Sequence, residues 1–380
     1  MKSILISHPY STRRSLVKAE GKYYIDDKGR KILDLESGIW CASLGHNLPE
    51  IKEIVNKQFN SLTHVAKKLL PDSINIVGEK LLEIADMNGK CFFLNTGSEA
   101  IEFAINLAKI KIPNSRLIGF KNNYVTAYGQ ATKPEDTIDI TPCFKCTKSC
   151  TPVCSVLNNK IQTNDIFIFD PFCFSRQIFI PPTKLIHVLV NEIKTKNGLL
   201  IVDEITTGMG RCGKWFAYQY FDIKPDFVVL GKSLGNGYPV SAIIFDQKIV
   251  KSVEKQNFMY YQSHQNDPLG YQIAHKVIEL IEAFNYISQV EKKGAFFLNL
   301  LKNELCDFQS IIDIRGIGLM IGIQIDKSIN VEDIFAKLLR RNIFIGTSIK
   351  YNMLNIFPPY SISKEELKLS CETIKDCLLS

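Results

Sequence analysis

The chain has 380 residues, more than one hydrophobic core usually holds, so two domains around a large buried interior are expected. Hydrophobic residues make up 46% and charged residues 22%, as in an ordinary soluble globular protein. The net charge of +7 is mildly basic and spread out, with pairs such as Lys67-Lys68 and Arg340-Arg341 reading as solvated helix faces. No aromatic and basic interleaving marks a nucleic-acid groove. No apolar run approaches the roughly 20 residues that span a membrane. Met1 to Arg14 carries neither a long apolar core nor a small-residue cleavage pattern, so a cytoplasmic protein with no nucleic-acid or membrane partner is expected.

Along the chain, Lys22 to Leu35 (KYYIDDKGRKILDL) predicts a hairpin turning at Asp27-Lys28-Gly29. Lys90 to Leu94 (KCFFL) predicts a buried strand. Ser98 to Lys109 predicts a helix with Ile101, Ile105 and Ala108 on its apolar side. Asp165 to Phe169 (DIFIF) is a second strand candidate. Thr183 to Lys196 follows as a helix with Gly198 as its C-cap. Leu199 to Val202 and Phe227 to Leu230 are short aliphatic runs, the signature of parallel strands covered on both faces. From about Leu269 the pattern changes to long helices, a strand near Leu319 to Ile325 and a last helix from Lys364. The alternation predicts an α/β fold with a mostly parallel central sheet flanked by helices. The expected division is a large domain over residues 46–268 and a small α+β domain built from 1–45 and 269–380.

Four motifs follow predicted strands, where open parallel sheets bind ligands. Asn95-Thr96-Gly97-Ser98-Glu99 turns from strand to helix and offers backbone N–H groups and a hydroxyl to an anion; taken alone it reads first as a plain N-cap with Glu99 in the first turn. Asp203-Glu204 puts a carboxylate where it can pair with a protonated ring nitrogen, or simply cap a helix. Lys232 stands among glycines in Leu230-Gly231-Lys232-Ser233-Leu234-Gly235-Asn236-Gly237. Partial burial lowers an ammonium pKa and frees the amine for imine chemistry, against the alternative of a solvated loop lysine. Gly208-Met209-Gly210-Arg211-Cys212-Gly213 matches G-x-G-x-x-G, but Asp203 to Thr207 separate it from the strand. Dinucleotide binding is therefore not expected, and Arg211 with its glycines reads as a tight loop.

Taken together, NTGSEA, LLIVDEITTGMGRCGKWFA and PDFVVLGKSLGNGYPVSA resemble the class III (ω-amino acid type) aminotransferases of the pyridoxal-5′-phosphate fold type I. Asp267-Pro268-Leu269, Arg315-Gly316-Ile317-Gly318 and Pro358-Pro359 extend the likeness over nearly the whole chain. His8-Pro9-Tyr10 and Pro358 to Ser363 look most like the diaminopelargonate (8-amino-7-oxononanoate) aminotransferases. The resemblance implies that Lys232 holds the cofactor as a Schiff base and shuttles the proton, and that Asp203 holds the pyridine nitrogen. It implies that Gly97 and Ser98 bind the phosphate, that Tyr124 stacks on the ring, and that Thr206 takes the place of a glutamine beside the cofactor. Ser263 would reach the phosphate of a neighbouring subunit, which implies a homodimer with interfacial sites. Trp40 would line the substrate site, or fill the core.

The departures are as telling. Val125-Thr126 replaces a His-Gly pair, and Asp170-Pro171-Phe172-Cys173-Phe174-Ser175 replaces a glycine-rich loop. Asn355 stands where many members have an arginine that grips a substrate carboxylate, a task for which a bidentate fork is suited. Arg13, Arg14 and Arg176 are the candidate substitutes. An acceptor other than a simple 2-oxo acid is expected. Cys143, Cys146, Cys150 and Cys154 form C-x2-C-x3-C-x3-C, enough for a zinc or iron–sulfur site, with free thiols or a redox pair as alternatives. Lys145 and Lys148 would favour thiolates there. The implied function is a ping-pong aminotransferase taking an amine donor and a ketone or aldehyde acceptor. A pyridoxal-phosphate epimerase or aminomutase, and a metal-binding redox or scaffold protein with a decayed site, are the alternatives.

Overall fold

The computed structural model describes residues 14–66, 68–146, 150–172 and 178–379. The N-terminal His8-Pro9-Tyr10, Arg13, Cys173 to Arg176 and Lys148 lie outside the described residues. A seven-stranded sheet forms the centre. Its spatial order is Gly89–Leu94, Ser241–Asp246, Phe227–Leu230, Leu199–Asp203, Ile166–Phe169, Leu117–Phe120 and Asp136–Ile138. All pairs from Phe227–Leu230 outward to Asp136–Ile138 are parallel. Ser241–Asp246 runs antiparallel to both of its neighbours, which leaves Gly89–Leu94 pointing the same way as the rest.

Every residue of Leu117–Phe120, Ile166–Phe169, Leu199–Asp203 and Phe227–Leu230 is buried, because helices cover both faces. The alternation of side chains splits these strands between two apolar clusters. Ile166, Ile168, Leu199, Ile201, Phe227 and Val229 pack with the helices Gly97–Lys111 and Gln247–Lys255. Phe167, Phe169, Leu200, Val202, Val228 and Leu230 pack with Ser73–Ala85, Thr183–Thr195 and Pro268–Ala283. The second cluster continues into the C-terminal part of the chain.

The hairpin expected over Lys22 to Leu35 forms from Tyr23–Asp26 and Lys31–Asp34. Its turn is held by the Asp26 carboxylate, whose Oδ1 accepts from Lys28 N at 3.1 Å and Arg30 N at 2.9 Å. Strand Ile343–Phe344 joins this sheet parallel to Lys31–Asp34, so the two ends of the chain share one sheet. A second antiparallel sheet holds Ile311–Ile317, Met320–Ile325, Met353–Ile356 and Gly346–Ser348. The last helix runs Lys364–Leu379, as expected. The expected cap at Gly198 is corrected. Asn197 is the left-handed residue, φ 57°, and Gly198 N bonds back to Ile193 O at 2.8 Å. Gly198 is needed for another reason: a Cβ there would sit 2.5 Å from Asp165 O.

Candidate active site

Because the strands run in one direction, the chain leaves Leu94, Phe120, Asp203 and Leu230 on one edge of the sheet. The residues that follow these ends therefore converge. Helix Gly97–Lys111 begins there, and Thr96 caps it by accepting from Glu99 N at 3.2 Å. The simpler reading of the motif, an N-cap with Glu99 in the first turn, thus holds, and Ser98 is left free of that task. Its hydroxyl instead accepts from Ala127 N at 2.9 Å, tying the helix start to the segment after Tyr124. Gly97 and Gly231 both face Ile205, and a Cβ on Gly97 would meet Ile205 Cδ1 at 2.6 Å. The close approach, not a turn, requires glycine at 97.

Lys232 follows strand Phe227–Leu230 and adopts a left-handed backbone, φ 42°. Its Nζ donates to Thr206 Oγ1 at 2.8 Å and lies 4.5 Å from the centroid of the Trp40 ring. Burial lowers the pKa of this amine, and Asp203 is the largest opposing influence. Asp203 ends its strand buried, with Oδ1 accepting from Ile205 N at 3.0 Å. Burial pushes its carboxyl well above the usual range, Asp170 adds to the push, and the charge of Lys232 pulls it back. Lys232 and Asp203 thus face one another electrostatically, without an ion pair between them among the described residues.

Trp40 packs on Phe357, with ring centroids 5.3 Å apart, and its ring also lies against the lysine amine, so it packs in the interior and beside Lys232 at once. Tyr124 stands four residues beyond strand Leu117–Phe120 and is 60% exposed. Ser263 is exposed on the segment before helix Pro268–Ala283, and its hydroxyl makes no hydrogen bond to Ser98, Lys232 or Asp203 among the described residues. Sequence reasoning missed Asp170 and Cys41 as influences on the pair. Asp170 carried a signal, being an acid just past a parallel strand like Asp203; Cys41 carried none.

The G-x-G-x-x-G loop is structural, as expected. Arg211 is fully buried and donates to Pro358 O at 2.7 Å, Leu319 O at 3.2 Å and Ser43 Oγ at 2.8 Å. The zinc or iron–sulfur reading of the four cysteines gains no support from the described residues. Cys143 is buried in the apolar core, Cys146 is exposed, and Cys150 and Cys154 lie between these extremes. Among the described residues, a group of three His, Cys, Asp or Glu ligand atoms within 4.8 Å of one another is made by His64, His264 and Asp267, not by the cysteines. Burial, then the neighbouring cysteines, pushes Cys143 up to about 11, and burial also raises Cys150.

The remaining set fits a flat aldehyde that carries a phosphate. It offers an amine kept low by burial, a buried acid opposite it, and a capped helix start with a hydroxyl and no Cβ in the way. The model of the aminotransferase class-III family matches residues 6–129 and 167–378, leaving out the cysteine segment. The acetylornithine aminotransferase of Lactococcus lactis is 30% identical over 379 residues, covering 96% of this chain and 97% of that protein. A [LysW]-aminoadipate semialdehyde/glutamate semialdehyde transaminase of Sulfurisphaera tokodaii is 27% identical over 93% of this chain and 92% of its own length. Among solved structures, a Bacillus anthracis aminotransferase superposes with a TM-score of 0.88 at 25% identity, over 100% of this chain and 96% of the other. A family match over most of the chain, a relative 30% identical over nearly its whole length and a matching fold agree, and the chain belongs to the class-III aminotransferases, enzymes that transfer amino groups with pyridoxal 5′-phosphate.

Proposed function

We propose that Lys232 carries the cofactor and relays the proton, with Asp203 facing the ring nitrogen, Gly97, Ser98 and Ser263 at the phosphate, and Tyr124, Thr206 and Trp40 around the ring and substrate. The observation that carries this reading is the Lys232 amine. It is lowered by burial, aimed by Thr206 at 2.8 Å and set against a buried acid. The cofactor, when bound, supplies an electron sink for a carbanion next to nitrogen. The protein's part is to present a neutral amine and, facing it, the buried acid Asp203. Lys232 Nζ accepts a proton from the substrate carbon and returns it, and the Thr206 hydroxyl holds that nitrogen in place. Trp40 covers one side of the amine and keeps water from it.

The exposed placement of Ser263 and Tyr124 suits a homodimer whose partner completes each site. The division into a domain over residues 46–268 and one from 1–45 with 269–380 is supported by the sheet shared between the chain ends. No helix among the described residues is long and apolar enough to cross a membrane, and no disulfide forms among the described cysteines; both suit the cytoplasm. The relatives support a biosynthetic amine-to-carbonyl transfer. The finer likeness to diaminopelargonate aminotransferases stands as a second reading, favoured by the placement of Trp40 over Lys232.

Lys232→Ala is expected to lower turnover by a factor on the order of 10^3 or more. Borohydride should fix the cofactor to a peptide containing Lys232 in the parent protein and to none in the variant. Retained activity in the variant would end this assignment. Donor alone should convert the cofactor to its pyridoxamine form, as an epimerase would not.

A further inference from the structure

The run Glu36 to Trp40 leads from the N-terminal sheet to Lys232 in an unusual conformation. Ser37, Gly38, Ile39 and Trp40 all have positive φ, at 49°, 57°, 59° and 64°. Trp40 N bonds to Glu36 O at 2.8 Å, closing a single left-handed turn. For residues other than glycine this conformation is disfavoured by about 1–2 kcal/mol each. Such strain persists where the surroundings hold it and concentrates at functional sites. Here Asp34 holds it, accepting from Glu36 N and from Gly38 N, both at 2.8 Å. Ser37 Oγ adds a bond to Phe357 O at 2.5 Å.

The turn places Trp40 against the lysine amine and aims Glu36 and Ile39 into a cavity of about 590 Å³. Its walls are mainly apolar, with Tyr24, Ile39 and Phe344 among them, and Arg14 at one side. Arg14 is already engaged: it donates to Asn342 Oδ1 at 2.6 Å and to the Leu339 carbonyl, and lies 3.8 Å from Asp26. Asp34 is satisfied by the turn and by His46 Nε2 at 2.8 Å. Glu36 differs. Among the described residues its carboxylate receives no hydrogen bond and meets no cation at ion-pair distance, although burial and Asp34 push it up to about 8. A Cβ on Gly346 would sit 2.7 Å from Glu36 Oε1 and 3.2 Å from Asn355 O. The carboxylate therefore lies against Gly346, the strand partner of Asn355, the position at which the sequence lacks an arginine. The charge offered there is reversed.

We propose that Glu36 and this cavity form a subsite for a second, non-reacting ammonium group, so that the enzyme takes a diamine or another cationic amine whose far end is charged. The inference rests on the transaminase reading above. A cation supplies what the carboxylate lacks, and the apolar walls suit the alkyl spacer between the two nitrogens.

The test compares cadaverine with n-pentylamine, which lacks only the distal ammonium, on the holoenzyme and on Glu36→Gln. Calorimetric binding and the donor half-reaction are both read. The parent should bind cadaverine about tenfold or more tightly than n-pentylamine. Glu36→Gln should remove that preference, raising KM for cadaverine with kcat little changed and leaving n-pentylamine within about twofold. In the parent alone, the ratio of the two KM values should shift toward cadaverine as pH rises through about 8, where Glu36 ionises. The groups facing Glu36 are Asp34 with its bonded His46, Tyr24 and Arg14. Burial raises Tyr24 and keeps it neutral there, and a guanidinium stays cationic, so the ratio follows Glu36. Equal binding of both amines by the parent, or equal losses for both in the variant, overturns the subsite. Should no amine be turned over at all, the transaminase reading fails, while the binding curves still decide the subsite.

Discussion

Glu204 illustrates how one buried side chain ties stability to pH. It follows Asp203 and is buried; its Oε2 accepts from Thr207 Oγ1 at 2.6 Å and its Oε1 from Tyr218 N at 2.7 Å. Burial outweighs these bonds and pushes its carboxyl up to about 7 from an ordinary 4.5. The folded state thus binds this proton more tightly than the unfolded chain does. Its contribution to stability is full below about 4.5 and is lost as pH rises through about 7. The size is about 3 kcal/mol at most. Urea midpoints at the two ends of that window should differ for the parent, and the difference should shrink in Glu204→Gln. Identical pH dependence in the two proteins would refute this. Lys232 and Asp203 were legible in the sequence through the family resemblance of the motifs around them, since glycines and a strand end alone left a loop lysine and a helix cap open. Glu36 was not legible, because its burial depends on segments far away in sequence, Gly346 among them.

At the scale of elements, glycine at a close approach matters more than helix propensity. Gly294 lies within helix Tyr286–Glu304, where alanine ordinarily stabilises by about 1 kcal/mol. Here an added Cβ would fall 2.0 Å from the carbonyl oxygen of Gly318, in the turn joining Ile311–Ile317 to Met320–Ile325. Backbone cannot yield as a flexible side chain does. Gly294→Ala is therefore expected to lose about 2 kcal/mol in chemical denaturation, and an unchanged or raised stability would contradict the packing described. The parallel strands and the helices after them were readable from runs such as LLIV and FVVL. Strand Ser241–Asp246 was not assigned, since a short apolar run reads alike in strand and buried helix. Pairing with Phe227–Leu230 on one side and Gly89–Leu94 on the other makes it a strand.

For the whole molecule, Arg211 is the joint. Its guanidinium reaches Ser43 near the N-terminus and Leu319 and Pro358 in the C-terminal part, and lies 4.8 Å from the Tyr360 ring centroid. Lysine keeps the charge but has no planar fork to meet three acceptors at once. Arg211→Lys is expected to lower unfolding free energy by about 3 kcal/mol, read as a shift of the urea midpoint. A variant as stable as the parent would show that these three segments are held together by other means.

Beyond the family resemblance that singled out Lys232 and Asp203, the sequence by itself determined the alternation of strands and helices and the edge at which open parallel sheets bind ligands. Those features follow from local hydrophobic period and from the direction of parallel strands. Tertiary structure alone decided the rest. It put Cys143 in the core and Cys146 on the surface while keeping their thiols neighbours, gave Ser98 a partner other than the helix end, and left the half-buried Glu36 without a counter-charge among the described residues. Solvation and hydrogen-bond partners come from residues distant in the chain, and no local pattern encodes them.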